Sequence, residues 1–104
     1  MSLYVDAPAA SLGYEVTIGD AAPLLKAMAN ENRLRILCLL QNKELSVSEL
    51  NAKLELSQSA LSQHLAVLRR EGLVSTRRAS QTIYYSLQGE HAQAVINTLI
   101  NLNR

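Results

Sequence analysis

The segment 57–71, SQSALSQHLAVLRRE, has the apolar spacing of an α-helix with one buried side. At 100° per residue, Leu61, Leu65 and Leu68 lie within about 60° of one another and predict a stripe facing the core. The opposite face carries hydroxyls, an amide and, near its C-terminal end, positive charge: Ser59, Ser62, Gln63, Ala66, Arg69, Arg70. Ser and Gln can hydrogen-bond to base edges, and small residues let a helix approach a groove floor. The segment therefore predicts a helix that recognises DNA.

A second helix precedes this one. Ser46 as N-cap and Glu49 at N3 fit a capping box, which predicts a short helix over 46–53. Leu54-Glu55-Leu56 then forms a brief turn, and Ser57 is a suitable N-cap for the helix that follows. Two short helices joined by a few residues, the second with a polar face, are typical of a helix-turn-helix.

A β-hairpin follows the second helix. Gly72 is well placed to end that helix, and the segments 73–76 and 82–87 are rich in strand-forming residues. The residues between them include two adjacent arginines, Arg77 and Arg78. Such a basic tip, over 76–82, is able to reach phosphates or the minor groove. The hairpin is therefore the predicted wing of a winged helix.

The predicted fold is mainly α with a two-stranded β-hairpin, an α+β winged helix-turn-helix in the order α-α-α-α-β-β-α. The predicted elements are helices 20–29, 31–42, 46–53 and 57–71, the hairpin 73–87, and a last helix 90–103. We expect a loose N-terminal arm over 1–18 and one winged domain over 19–104 that includes terminal dimerisation helices.

The first and last helices carry apolar stripes that a minimal winged helix does not need. These residues are Leu24, Leu25, Met28, Val95, Ile96, Leu99 and Leu102. A monomer rarely exposes such stripes, so we expect them to pack on a second copy through a two-fold interface. The alternative is that they only cover their own core. A dimer suits a palindromic DNA site with half-sites roughly 34 Å apart.

Composition and charge limit the function classes. Residues 31–88 hold eight lysines and arginines against five acids, a net +3, although the whole chain has only +1. The positive charge therefore lies on the predicted DNA-binding part. We expect no enzyme, because the chain has no Gly-rich phosphate loop, no Gly-x-Ser-x-Gly and no carboxylate pair in a plausible cleft. No apolar run predicts a membrane span or a signal peptide.

Four segments make the chain similar to the ArsR/SmtB family, nearest to its HlyU, NolR and BigR branch: LLKAMANENRLRILCLL, ELSVSEL, LSQSALSQHLAVLRREGLVSTRR and QTIYYSL. The similarity covers about residues 20–102. It implies a bacterial, cytoplasmic, nucleoid-associated homodimer that binds a promoter operator, usually as a repressor, until an inducer releases it. It also implies DNA contacts from Gln58, Ser59, Ser62 and Gln63, with backbone or minor-groove contacts from Arg33, Arg77 and Gln81. Arg70 is either a phosphate contact or an ordinary solvated charge.

The chain departs from the metal sites of this family. Where many members have two cysteines and an acid, it has Ser46, Ser48 and Glu49, and hydroxyls are poor ligands for soft metals. At the second family site only His91 matches, whereas zinc needs about four ligands. We therefore expect neither metal nor cofactor, and the inducer stays unassigned.

The single cysteine, Cys38, matches one position of the family's redox pair, but the second position has no thiol. Because the helix around it is apolar on nearly every side, we expect Cys38 to be an inert core residue. The alternative is a lone reactive thiol. Two other functions stay open: a winged-helix module that binds only protein, and an anti-silencing activator with a lone-cysteine redox response.

Overall fold

The computed structural model describes residues 18–102, and the predicted arm lies outside them except for Ile18, which begins the first helix. The elements are α1 (Ile18–Met28), α2 (Glu31–Leu39), β1 (Leu45–Ser46), α3 (Val47–Lys53), α4 (Gln58–Arg70), β2 (Val74–Ala79), β3 (Thr82–Leu87) and α5 (His91–Leu102). The α+β winged-helix class is confirmed. No helix in this range is long and apolar enough to cross a membrane.

The sheet has three strands, not the two that were predicted. Its order is β1-β3-β2, with both pairings antiparallel. In β1, Leu45 pairs with Tyr85 and Ser46 with Tyr84. A strand of two residues has no period to detect, and its partner lies far along the chain. The extra strand ties the wing to the start of α3.

Side-chain caps fix where α3 and α4 begin. The Ser46 hydroxyl accepts from the Glu49 backbone N–H at 3.2 Å, and Glu49 Oε1 accepts from the Ser46 N–H at 2.9 Å, which confirms the capping box. Ser57 accepts from the Ala60 N–H at 3.1 Å and so caps α4. The second helix ends three residues earlier than predicted, before the left-handed Asn42 at φ 61°.

The core lies between α2, α4 and the base of the wing. Its largest fully buried side chains are Ile36, Leu37, Leu40, Leu50, Leu61, Leu65, Leu68, Leu73 and Val74. The predicted stripe of α4 is therefore confirmed, with all three leucines at 2% exposure or less. Burial of each such side chain contributes roughly 1.5–3 kcal/mol. The opposite face of α4 is left to solvent.

Two of the residues assigned to the dimer interface belong to the subunit's own core. Met28 is 3% exposed and Ile96 is 2% exposed, because both face the core from the inner sides of α1 and α5. Leu24 and Val95 are half-buried against the same core. The large apolar side chains that remain exposed on these helices are Leu25, Leu99, Ile100 and Leu102. Sequence reasoning missed Ile100.

Cys38 is exposed, so the predicted core position of this cysteine is wrong. The core side of α2 carries Ile36, Leu37 and Leu40, and Cys38 lies on the opposite side of the helix. Because α2 carries apolar residues on nearly every side, its sequence pattern did not indicate which side faces the core.

Candidate DNA interface

The exposed face of α4 presents the four polar side chains predicted to contact bases. Gln58, Ser59, Ser62 and Gln63 are all exposed. No other residue of the described range forms a hydrogen bond with these side chains, so their donors and acceptors are available to a ligand. On the opposite side of α4, the buried leucine stripe packs the helix against the core. This face can therefore enter a groove while its backbone stays rigid.

The wing ends in a two-residue turn. Ala79 pairs with Thr82, which leaves Ser80 and Gln81 between the strands. Ser80 has φ 62°, whereas Gln81 has a negative φ, as in a type II′ turn. Gln81 is exposed at the tip of the wing, where the prediction placed it.

Arg77 does not lie free at the tip of the wing. It pairs with Tyr84 across the strands, and its guanidinium lies 4.9 Å from the centre of that ring. Its Nε donates to Glu44 Oε2 at 3.1 Å, and its Nη2 donates to Glu44 Oε1. The hydrogen bonds with Arg77 hold the pKa of Glu44 below its usual range, and those with Glu44 raise the pKa of Arg77. A residue expected to contact DNA thus has a carboxylate partner.

Arg78 is the second arginine of the predicted basic tip, and the contacts implied by the family resemblance did not include it. Its Nε donates to the Ser80 carbonyl at 3.3 Å, beside the turn. Within the described range it has no carboxylate partner, unlike Arg77. The period-2 alternation of the strand was the available signal, because it puts adjacent arginines on opposite faces of the wing.

Arg33 joins three helices. Its Nε donates to the Ala27 carbonyl at the end of α1 at 2.5 Å, and its Nη1 lies 3.4 Å from His64 Nδ1 on α4. The arginine is half-buried, so these contacts fix its orientation. Arg70 at the end of α4 is exposed, and its Nε donates to Glu71 at 3.1 Å.

Within the described residues, no three His, Cys, Asp or Glu side chains come together as a metal site would require. Ser46 and Glu49, at the first family metal position, bond to each other's backbone in the capping box. His91 is exposed at the first residue of α5.

The comparisons with known proteins agree with this geometry. Residues 30–76 match the family model described as "Bacterial regulatory protein, arsR family". The transcriptional activator HlyU of Vibrio cholerae is 58% identical over 88 residues, which cover 85% of this chain and 82% of HlyU. The chain belongs to the arsR family. Nodulation protein NolR of Rhizobium meliloti is 50% identical over 79% of this chain and 67% of NolR.

Solved structures of arsR-family relatives share the fold. HlyU from Vibrio cholerae superposes with a TM-score of 0.76 at 60% identity, over 81% of this chain and 91% of that one. The repressor BigR from Xylella fastidiosa gives 0.75 at 38% identity, over 81% and 86% of the two chains. The segment matched by the family model contains α3 and α4. This arsR-family chain is a DNA-binding transcriptional regulator, and nothing in its relatives indicates catalysis.

Proposed function

We propose that the chain represses transcription as a homodimer that occupies a palindromic operator, with α4 in the major groove of each half-site. The exposed polar face of α4 is the observation that carries this proposal. Gln63 and Ser59 supply the hydrogen bonds to base edges, with Gln58 and Ser62 beside them. The protein acts on bacterial chromosomal DNA in the cytoplasm.

The wing lies along the backbone or in the minor groove next to each half-site. In the proposed complex, Gln81 at the tip of the wing and Arg78 beside it lie nearest to the DNA. Arg77 has five N–H donors, of which Glu44 engages two, and the remaining three have no acceptor among residues 18–102 and can bind a phosphate. In this arrangement Glu44 orients Arg77, and its negative charge also weakens the attraction between Arg77 and the DNA phosphates.

The dimer forms through α1 and α5. Leu25, Leu99, Ile100 and Leu102 are between 42% and 73% exposed, and together they leave an apolar surface that a two-fold interface would cover. Pairing also doubles the positive charge that faces the DNA. The polar faces of the two α4 helices would then contact half-sites about one helical turn apart.

The proposal is tested by selecting duplexes from a random pool with the purified protein. We expect a palindrome with half-site centres about 10–10.5 base pairs apart. Selection with Gln63→Ala is the matched control and should give a pool with weaker preference at one position of each half-site. Enrichment of no sequence by the wild-type protein would contradict the proposal.

Activation is a second candidate, because the relative HlyU is named a transcriptional activator. Transcription in vitro separates the two roles. A repressor lowers transcription from naked promoter DNA that carries the operator. An anti-silencing activator leaves naked DNA unchanged and restores transcription only when a silencing protein coats the promoter.

A further inference from the structure

A cavity of about 270 Å³ lies where the end of α1, the start of α2 and the end of α4 meet. Lys26, Arg33 and Arg70 line it, one from each helix, together with Glu71. Val67 contributes to its apolar wall. Three cations from three different helices around one small cavity are a feature that core packing does not require.

The charges around the cavity do not cancel. Glu71 bonds to Arg70 at 3.1 Å, whereas neither Lys26 nor Arg33 has a carboxylate partner in the described part of the chain. The cavity therefore carries a net charge of about +2 from these four groups. A concave site with this charge favours a compact anion such as a phosphate.

Arg33 is already held in place for such a ligand. The Ala27 carbonyl and His64 Nδ1 engage Nε and Nη1, and no described residue accepts from Nη2. Because the side chain is half-buried and fixed by two acceptors, binding costs it little further conformational freedom. A guanidinium fixed in this way, with an unused edge, is suited to a phosphate oxygen.

The cavity continues the polar face of α4. Arg70 follows Gln63 by two helical turns, so the two side chains lie on one side of the helix, about 10 Å apart along its axis. The major groove is about 12 Å wide. When Gln63 contacts bases at the groove floor, Arg70 and the cavity beside it come to the phosphate backbone at the edge of the groove.

We propose that this cavity binds one phosphate at the edge of the major groove that α4 enters, with Lys26, Arg33 and Arg70 as its ligands. The inference rests on the proposed DNA-binding role of α4. A free phosphate has the same chemistry, so the experiment separates the two sources. The site adds affinity and register without reading sequence.

The first test measures the salt dependence of DNA affinity for Lys26→Met, with Arg35→Met as the control. Arg35 is an exposed cation on α2 that pairs with Glu31 and lies outside the cavity. Because a homodimer carries two such sites, loss of this phosphate contact in both subunits should make the fall in affinity from about 50 to about 200 mM salt about 12-fold smaller. We expect this change for Lys26→Met and none for Arg35→Met. Equal behaviour of the two variants would overturn the proposal.

The second test replaces single operator phosphates by neutral methylphosphonates. For the wild-type protein, one position in each half-site should lower affinity, and Lys26→Met and Arg70→Met should both be insensitive to that same position. If Lys26→Met and Arg70→Met become insensitive at different phosphate positions, the two cations contact separate phosphates, which contradicts a shared site. If no operator is recovered, the salt test still applies to a random duplex, so the two proposals can fail independently.

The third test looks for binding of free inorganic phosphate to the DNA-free protein. Thermal unfolding is compared in phosphate and chloride at equal ionic strength, for the wild-type protein and for Lys26→Met. Phosphate raises unfolding midpoints by its exclusion from protein surfaces, so we expect the same rise for the wild-type protein and for Lys26→Met. A rise in phosphate that Lys26→Met abolishes would assign the cavity to a free anion and overturn the assignment to DNA.

Discussion

Leu99→Glu is expected to convert the dimer to a monomer. The size of the loss in dimer affinity follows from the exposed fraction of the Leu99 side chain. Leu99 is 42% exposed, and full burial of a leucine contributes roughly 1.5–3 kcal/mol, so covering the rest contributes about 0.6–1.3 kcal/mol. Two-fold symmetry doubles this to about 1–3 kcal/mol. Each buried carboxylate adds a penalty of several kcal/mol. At about 1.4 kcal/mol per tenfold, dimer association should weaken at least 1,000-fold.

The assay is light scattering or sedimentation over a range of protein concentrations. Ile83→Glu is the matched control, because Ile83 is also 42% exposed but lies on the wing, away from α1 and α5. We expect Ile83→Glu to remain dimeric while Leu99→Glu runs as a monomer. A wild-type protein that is monomeric at micromolar concentration, or dissociation of both variants alike, would refute the assignment of the interface.

Three further predictions concern single side chains. Ser46→Ala should lower the free energy of unfolding by about 1 kcal/mol in urea titrations, since it removes the N-cap bond to Glu49; an unchanged midpoint would contradict the capping box. Because Arg77 lowers the pKa of Glu44, that carboxylate stabilises the fold at neutral pH and loses its effect as pH falls below about 4. Glu44→Gln should thus be less stable than wild type at pH 7 and equal to it in strong acid, and a constant difference would count against the pair. Cys38 should react with a maleimide in the folded protein nearly as fast as in guanidinium, contrary to what a buried thiol would show.

Local signals were enough to predict most of the fold. The capping box at Ser46, the cap at Ser57 and the leucine stripe of α4 each depend on residues within a few positions of one another. Their physics is complete within one or two helical turns, so the sequence displays it. The third strand is different, because β1 is defined only by its pairing with Tyr84 and Tyr85.

The candidate site also has features that local sequence predicts and features that depend on distant residues. Periodicity alone predicted that Ser59 and Gln63 are exposed on the polar face. The pairing of Arg77 with Glu44 joins residues 33 positions apart, and no local pattern indicates it. Cys38 shows a further limit: where a helix is apolar on nearly every side, its sequence does not reveal the side that packs against the core.

The central claim is that the polar face of α4 reads base sequence, and the most direct measurement is the ratio of operator affinity to random-duplex affinity. We expect Ser59→Ala and Gln63→Ala each to lower this ratio by roughly 1–3 kcal/mol, or about 5- to 150-fold, for each half-site contacted, with little change on random DNA. Arg78→Met should instead weaken binding to both duplexes alike and leave the ratio unchanged. Equal losses on operator and random DNA for Ser59→Ala and Gln63→Ala would contradict the account.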